Sequence, residues 1–464
     1  MTETAVGKKP GSTGNRDKGK VPKAARTREI VLDILLEVLE KDRFVHDVLG
    51  EALAKYQYLE KADRAFITRL SEGTVERRLT VDAVLKGCLK GELEKQRPVL
   101  RTILRMSVYQ LLWMDRVPDR AVCDEAVKLA KSRGLNGLSG LVNGVLRNVA
   151  RGKQEISFTD LSLRYSMPQE LVDMWSREYP REAVEGILQA FLADAPTTVR
   201  CNQSRASMEK IQKSLQRQGV KVSVSPVFDQ VLLLSGYDYL ERLEAFREGW
   251  IQVQDAASAL VTEAADPQPG DQVLDICGAP GGKGLHMADK LKDTGLVIVR
   301  DLTEEKAERI RENIARTGLS NIRSEVWDAL EFDERWEGQA DIVIADLPCS
   351  GLGVIGKKPD IKYRVTEDRI CSLAELQKQI LTVASRYVKP GGKLIYSTCT
   401  ISRRENEAQR EWFLENFPFV PGKLKLPEKT VIDEQTVKMG YVQLLPGRYP
   451  CDGFFIAVFQ KDKQ

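Results

Sequence analysis

From about Thr27 the apolar residues recur every three or four positions. Ile30, Val31, Ile34, Leu35, Val38 and Leu39 form one stripe, the spacing of a helix that buries a single face. Val48, Leu49, Ala52 and Leu53 predict a second helix, and Asp63 is placed to cap a third that holds Phe66, Ile67 and Leu70. Leu100, Ile103, Leu104, Val108, Leu111 and Leu112 make the strongest stripe, which stops near Val117-Pro118, and helical spacing returns over 122–130 and 138–149. Residues 27–150 therefore read as an all-α domain. Beyond a polar junction at 152–155 the pattern mixes. Helices are predicted over 170–178, 181–193 and 208–218, with strands over 198–202 and 231–234, giving a small α/β domain across roughly 156–250. From 270 onward short apolar runs (273–277, 296–300, 322–327, 341–345, 394–397) alternate with helical spacing over 304–317, 373–387 and 405–416. That rhythm predicts a doubly wound, mostly parallel sheet in a C-terminal α/β domain, 251–464, with ligands bound at the carboxyl ends of its strands.

Composition narrows the class. A chain of 464 residues with 42% hydrophobic and 30% charged residues is a soluble multidomain protein. No apolar run approaches the ~20 residues that span a bilayer, and the first thirty residues lack a signal-peptide core, so a cytoplasmic location and no membrane partner are expected. The eight cysteines are scattered without paired metal-ligand spacing, which suits a reducing compartment and predicts no metal. With only His46 and His286, histidine-based catalysis is not expected. The net charge of +3 is uneven: residues 1–28 carry eight Lys/Arg against Glu3 and Asp17, a tail of +6 that leaves the remainder at −3. A basic, disordered tail over 1–26 is expected, either simply solvated or touching polyanions. Lys86, Lys90, Lys95, Arg97, Arg101 and Arg105 form a local basic run, for which a solvated helix face stands against an RNA-contacting patch.

The candidate chemistry starts where the run Val273-Leu274-Asp275-Ile276 breaks into Cys277-Gly278-Ala279-Pro280-Gly281-Gly282-Lys283. This turn is one residue too short for a triphosphate-cradling loop, and Gly284 stands where that loop's metal-binding hydroxyl belongs. Its glycines also miss the dinucleotide spacing. Asp301 ends the second strand, where a carboxylate can accept hydrogen bonds from both ribose hydroxyls of an adenosine, and Asp328 ends the third, beside the adenine. A nucleoside-type ligand without a phosphate cradle follows. Asp346-Leu347-Pro348-Cys349-Ser350-Gly351 follows the fourth strand and Thr398-Cys399-Thr400 the fifth. Adjacent strand ends would bring Cys349 and Cys399 into one cleft beside Asp346. The chemistry that needs two thiols beside an adenosine-containing donor is methylation of an unactivated pyrimidine carbon. A thiolate adding to carbon 6 makes carbon 5 nucleophilic, and a base must then remove its hydrogen. Spacing does not say which thiol attacks.

Two sets of motifs resemble known families. Ile103-Leu104-Arg105-Met106-Ser107-Val108-Tyr109-Gln110-Leu111, Asp124-Glu125-Ala126-Val127 and Val142-Asn143-Gly144-Val145-Leu146-Arg147 resemble the helical RNA-binding fold of the NusB antitermination factors over about 120 residues. The glycine-rich turn, Asp346-Leu347-Pro348-Cys349-Ser350-Gly351, Pro359-Asp360-Ile361-Lys362, Ser397-Thr398-Cys399, Glu405-Asn406 and Asp452-Gly453-Phe454-Phe455 resemble the successive motifs of the RNA cytosine-5 methyltransferases. Residues 249–255, Gly-Trp-Ile-Gln-Val-Gln-Asp, resemble that family's lead from its small domain into the catalytic one. Together, about 435 residues are similar to the RsmB (Sun/Fmu) branch, which methylates small-subunit ribosomal RNA. The resemblance implies a NusB-like domain, a ferredoxin-like middle domain and a Rossmann-like methyltransferase domain, in a monomer acting on ribosomal RNA. It implies that residues 277–283, Asp301, Asp328 and Asp346 bind S-adenosylmethionine, that Cys399 is the nucleophile and that Cys349 assists product release. The runners-up are a transfer-RNA cytosine-5 methyltransferase and a non-catalytic ribosome-assembly protein. Four departures stand out: Gly278 replaces the commoner Ala, Gly284 a usual Thr, Arg300 an apolar strand residue and Arg404 a frequent Glu. The two glycines are expected to loosen the turn.

Overall fold

A computed structural model describes residues 23–430, 432 and 434–463. The basic tail expected over 1–26 falls mostly outside these residues; helix Lys23–Glu40 already covers its last four. The chain divides into two units, one of residues up to 74 with 84–156, the other of 75–83 with 157–464.

The first unit is helical because its stripes bury one face. In Pro98–Trp113, Pro98 starts the helix at the position where its missing N–H costs nothing, and Leu100, Ile103, Leu104, Val108 and Leu111 are buried. Asp119–Ser132 and Ser139–Gly152 follow with Val122, Ala126, Val142, Leu146 and Val149 inward. Asp63, expected to cap its helix, lies instead in the first turn of Lys61–Glu76, because the helix begins two residues earlier. The basic run is largely neutralised. Lys86 pairs with Glu94 at 3.1 Å, Lys95 with Glu92 at 2.7 Å and Arg101 with Glu40 at 2.6 Å, while Arg105 is buried. This face is laced with ion pairs.

The second unit carries two sheets. The smaller consists of Thr197–Cys201 (β1), Lys221–Val224 (β2), Val231–Ser235 (β3) and Ile251–Val253 (β4), in the order β2-β3-β1-β4 and all antiparallel. The larger consists of Gln272–Asp275 (β5), Leu296–Asp301 (β6), Ile322–Val326 (β7), Ala340–Asp346 (β8), Val388–Thr398 (β9), Phe419–Pro421 (β10), Tyr441–Leu444 (β11) and Phe454–Lys461 (β12). Its order is β10-β12-β9-β8-β5-β6-β7, with β11 added to β12. Strands β5 to β9 pair in parallel, and β10 to β12 add an antiparallel edge that the apolar pattern did not announce. The order reverses at β5, between β6 and β8, which is where ligands bind in open α/β sheets.

The smaller sheet buries Val199, Cys201, Leu232, Leu234 and Ile251 in a core of its own, and it meets the larger sheet's core at one corner. Val227, Phe228 and Val231 from the smaller sheet's region pack in the same cluster as Leu260, Val273, Leu285, Val297 and Val299. Each fully buried side chain of this size contributes about 1.5–3 kcal/mol. A separate cluster joins Trp175, Ile187, Leu188 and Phe191, from helices Gln169–Glu178 and Arg181–Ala190 and the residue after them, to Leu352, Ile355 and Ile401 in the loops after β8 and β9.

Candidate active site

The glycine-rich turn leaves β5 at Asp275 and enters helix Gly282–Leu291 through Gly281, whose φ of 103° suits glycine. Asn313 from helix Glu304–Thr317 donates to the Pro280 carbonyl at 3.0 Å, and the Gly278 amide donates to the Arg300 carbonyl at 2.8 Å. The turn is not loosened by its glycines. A Cβ at Gly278 would lie 2.4 Å from Val299 Cγ1, and one at Gly284 2.3 Å from Val299 Cγ2. Val299 fills the space that larger residues would take.

Beneath the turn, Asp275 is fully buried, and neither carboxylate oxygen has a hydrogen-bond partner among the described residues. Burial pushes its carboxyl up to about 7, against the pull of Lys283. Burial also raises the Cys277 thiol, with Asp301, Asp275 and Asp346 adding repulsion, so this cysteine stays protonated.

Asp301 is the last residue of β6. Its Oδ2 accepts from the Ala279 amide at 3.0 Å, and its Oδ1 accepts from the Leu302 amide at 2.8 Å and from Lys306 at 2.9 Å. Asp328 lies two residues past β7, where its Oδ1 accepts locally from the Leu330 amide at 2.9 Å. The charge at Arg300 has a local cause. Its guanidinium is buried against Asp333 (2.5 Å) and Glu325 (2.7 Å) and sits 4.9 Å from the centre of the Trp327 ring, next to Asp328.

Asp346 ends β8, with Oδ2 at 2.5 Å from Lys283 Nζ and Oδ1 accepting from Ser397 Oγ at 2.7 Å. This ion pair ties the glycine-rich turn to the end of the fourth parallel strand. Cys349 and Cys399 come together with their sulfurs 3.4 Å apart, both partly exposed. A bracket of backbone contacts holds their loops. The Gly353 amide donates to the Cys399 carbonyl at 2.9 Å, and the Gly453 amide donates to the Gly353 carbonyl at 2.9 Å. Glu405, fully buried, accepts from the Ser350 amide (2.8 Å) and hydroxyl (2.6 Å). Asn406 accepts from Thr398 Oγ1 at 2.6 Å and donates to the Thr400 carbonyl at 3.0 Å. Sequence reading quoted Glu405 and Asn406 as a motif without a role. Their i, i+1 spacing carried no signal for two side chains that clamp two different loops.

The two thiols differ in their surroundings. The Cys399 thiol is held below its usual value, first by the hydrogen bond it shares with Cys349, then by Lys283 and Lys358, against burial and Asp346. The Cys349 thiol is held above its usual value by the same contact, by burial and by Glu405. These surroundings favour a thiolate at Cys399 over one at Cys349. His286 is buried and its basicity is suppressed by burial and by Arg200 and Lys290, so it stays neutral.

The sequence profile of the 16S rRNA methyltransferase RsmB/F family matches residues 262–460. A relative in Bacillus subtilis, a probable ribosomal RNA small subunit methyltransferase B, is 36% identical over 451 residues, covering 95% of this chain and 99% of its own. The chain belongs to the RsmB/F methyltransferase family. The NusB family profile matches residues 25–151, and the ferredoxin-like domain of RsmF/B-type methyltransferases matches 167–260. Ribosomal RNA small subunit methyltransferase B of Vibrio cholerae is 31% identical, covering 90% of this chain and 94% of its own. The solved structure of PH0851 superposes with a TM-score of 0.78 at 27% identity, over 96% of this chain and 100% of its own. The fold is thus a NusB-like helical domain, a ferredoxin-like middle domain and a methyltransferase domain.

Proposed function

We propose that this RsmB/F-family enzyme, acting as a cytoplasmic monomer, methylates carbon 5 of a cytosine in small-subunit (16S) ribosomal RNA. The observation that carries the reading is the 3.4 Å approach of two thiols from neighbouring strand ends, with lysines beside Cys399 and a glutamate beside Cys349. The ribosomal substrate is supported by the names of the relatives that match almost end to end.

The cofactor is S-adenosylmethionine, which when bound supplies an electrophilic methyl on its sulfonium. The residues present suit it. Asp301 and Asp328, at and just beyond the ends of β6 and β7, offer acceptors for ribose hydroxyls and an adenine amino group. Residues 277–283 and Asp346 border the same strand ends and complete the proposed site. Helix Gly282–Leu291 has no side-chain cap at Gly281, which leaves its first-turn amides free for an anion.

Carbon 5 of cytosine is too weak a nucleophile to take a methyl group unaided. In the proposed sequence the Cys399 thiolate gives its electron pair to carbon 6, and the carbon 5–carbon 6 π pair becomes an enamine with its nucleophilic end at carbon 5. Asp346, fixed by Lys283 and Ser397, is the acidic group at the polar edge of the base. Once carbon 5 is methylated, its proton leaves to a base, the released pair re-forms the double bond, and the Cys399 thiolate departs. Cys349 assists this release. The base must leave any stack to reach Cys399, so a loop, or RNA before full subunit assembly, is the substrate that costs least. In this scheme residues 27–150 and 156–250 contact RNA, and 251–464 perform the chemistry.

RNA carrying 5-fluorocytosine tests the scheme, because fluorine cannot leave as a proton. The wild-type protein should form a denaturation-resistant adduct with S-adenosylmethionine present. No adduct in wild type, or an adduct that persists in Cys399→Ala, overturns the assignment. Cys349→Ala should accumulate a covalent complex with ordinary RNA, and its absence would leave Cys349 without a role in release.

A further inference from the structure

Gln254 lies one residue beyond β4 and is 5% exposed. Arg200, fully buried on β1, donates from Nε to the Gln254 Oε1 at 2.9 Å. A guanidinium only donates, so the amide oxygen must face Arg200 and the amide nitrogen must face away. That nitrogen is buried and has no hydrogen-bond partner among the described residues. Leaving such a donor unsatisfied carries its full desolvation penalty, which a ligand acceptor would recover.

The orphaned amide looks at the glycine-rich turn. A Cβ on Gly282 would lie 3.8 Å from Gln254 Cδ and 3.9 Å from its Nε2. Gly282 opens a ten-residue helix with no side-chain cap, so the amides of Gly282, Lys283 and Gly284 have no acceptor within the helix. Two independent donor sets therefore meet at one point. The other end of the same helix is anchored to the same arginine: Asp289 accepts from Arg200 at 3.3 Å and from the Gln203 and Ser204 amides at 3.1 and 3.0 Å. Arg200 thus fixes both the helix and the direction of the Gln254 amide.

We infer that Gln254 is a cofactor-binding residue contributed from the edge of the ferredoxin-like sheet. Its Nε2, together with the first-turn amides of helix Gly282–Leu291, binds the carboxylate of the methyl donor's amino-acid part, and Arg200 is the positioning residue behind it. The inference rests on the methyl-donor reading above. Charge sorting selects the carboxylate: donors gather at Gln254 and Gly282, while the acceptors Asp301 and Asp328 belong to the nucleoside end and would repel an anion. The helix N-terminus favours negative charge at the same point.

Equilibrium binding of two ligands to the purified full-length protein tests this. S-adenosylhomocysteine carries the carboxylate, whereas 5′-methylthioadenosine keeps the adenosine and lacks the amino-acid part. Gln254→Leu should weaken S-adenosylhomocysteine about tenfold, the loss of one buried hydrogen bond to a charged group, and leave methylthioadenosine within twofold. Gln254→Glu, which keeps an oxygen for Arg200 and turns a second acceptor on the ligand, should give the same split should the leucine variant fail to fold. Arg200→Lys should also weaken only the carboxylate-bearing ligand. Unchanged binding of S-adenosylhomocysteine to the Gln254 variants, or equal weakening of both ligands, overturns the role of Gln254. A wild-type protein that binds neither ligand overturns the methyl-donor reading itself.

Discussion

At the scale of single residues, two chemically identical thiols 3.4 Å apart are made unequal by their neighbours. Cys399 is held below its usual value chiefly by the hydrogen bond it shares with Cys349 and then by Lys283 and Lys358. Adduct formation with 5-fluorocytosine RNA should therefore rise with pH along a limb set by Cys399. Removing that bond in Cys349→Ala should move that limb to higher pH, and Lys358→Gln should move it the same way by less, because Lys358 is solvent-exposed and screened. Rates of adduct formation against pH would check the order; a limb unmoved in Cys349→Ala would exclude the thiol–thiol hydrogen bond as its cause. Asp275 gives a second prediction, about stability. Its folded-state value of about 7 lies above the ordinary aspartate value of 3.8, so between those limits the folded protein keeps a proton that the unfolded chain has lost. Stability is fully present below the lower value and falls as pH rises through about 7, by on the order of 4 kcal/mol at most. Asp275→Asn should flatten the difference in denaturant-derived stability between pH 5 and pH 8. An undiminished difference would assign it elsewhere.

Among the elements, Cys349 and Cys399 ride on loops that touch each other as backbone. Gly353 is the tightest point: a Cβ there would lie 2.0 Å from the Gly453 carbonyl oxygen and 2.8 Å from that of Cys399. Gly353→Ala must part the loops that carry Cys349 and Cys399, and a displacement of about 1 Å costs roughly 10²-fold in rate. Methylation should fall by about that factor while cofactor binding at the glycine-rich turn persists; near-wild-type turnover would mean that the bracket does not position the thiols. How much of this was legible in sequence differs by element. Helix Glu304–Thr317 matched its apolar spacing at both ends because local chemistry sets them: Thr303 accepts from the Lys306 amide, and Gly318 ends it with φ 63°. The carboxylates of Asp301 and Asp346 were legible because an acidic residue closing an apolar run marks a strand end. Strand β9 begins at Val388, earlier than expected, since Pro390, Gly391 and Gly392 hide its start. The antiparallel edge was hidden for a different reason. Strand β12 is buried on both faces, so its run has no alternation to read. Glu405 was hidden too, because a glutamate in a polar stretch looks solvated until Ser350, fifty-five residues away, supplies its partner.

For the whole molecule, the middle and methyltransferase domains are two family modules joined by a shared apolar cluster and a buried ion pair. Arg200 on β1 and Asp289 on helix Gly282–Leu291 have side chains 0% and 3% exposed. Removing one partner of a buried pair leaves a charge without compensation and costs about 3–5 kcal/mol. Arg200→Met should lose about that much stability. The usual remedy, replacing both partners by apolar residues, should fail here. Asp289 also accepts from the Gln203 and Ser204 amides and the Ser204 hydroxyl, so Arg200→Met with Asp289→Leu trades one buried charge for orphaned backbone donors. Because Val227, Phe228 and Val231 pack in the cluster that holds Val273 and Val297, the loss should not stay in the smaller sheet. Hydrogen exchange of the full chain would read both effects: in Arg200→Met, amides of β1 and β3 and amides of β5 and β6 should lose protection by the same free energy, and the double variant should not restore it. Loss confined to β1–β4, or recovery in the double variant, would make the middle domain a separate folding unit, and Arg200 could then not hold Gln254 rigidly against the cofactor turn.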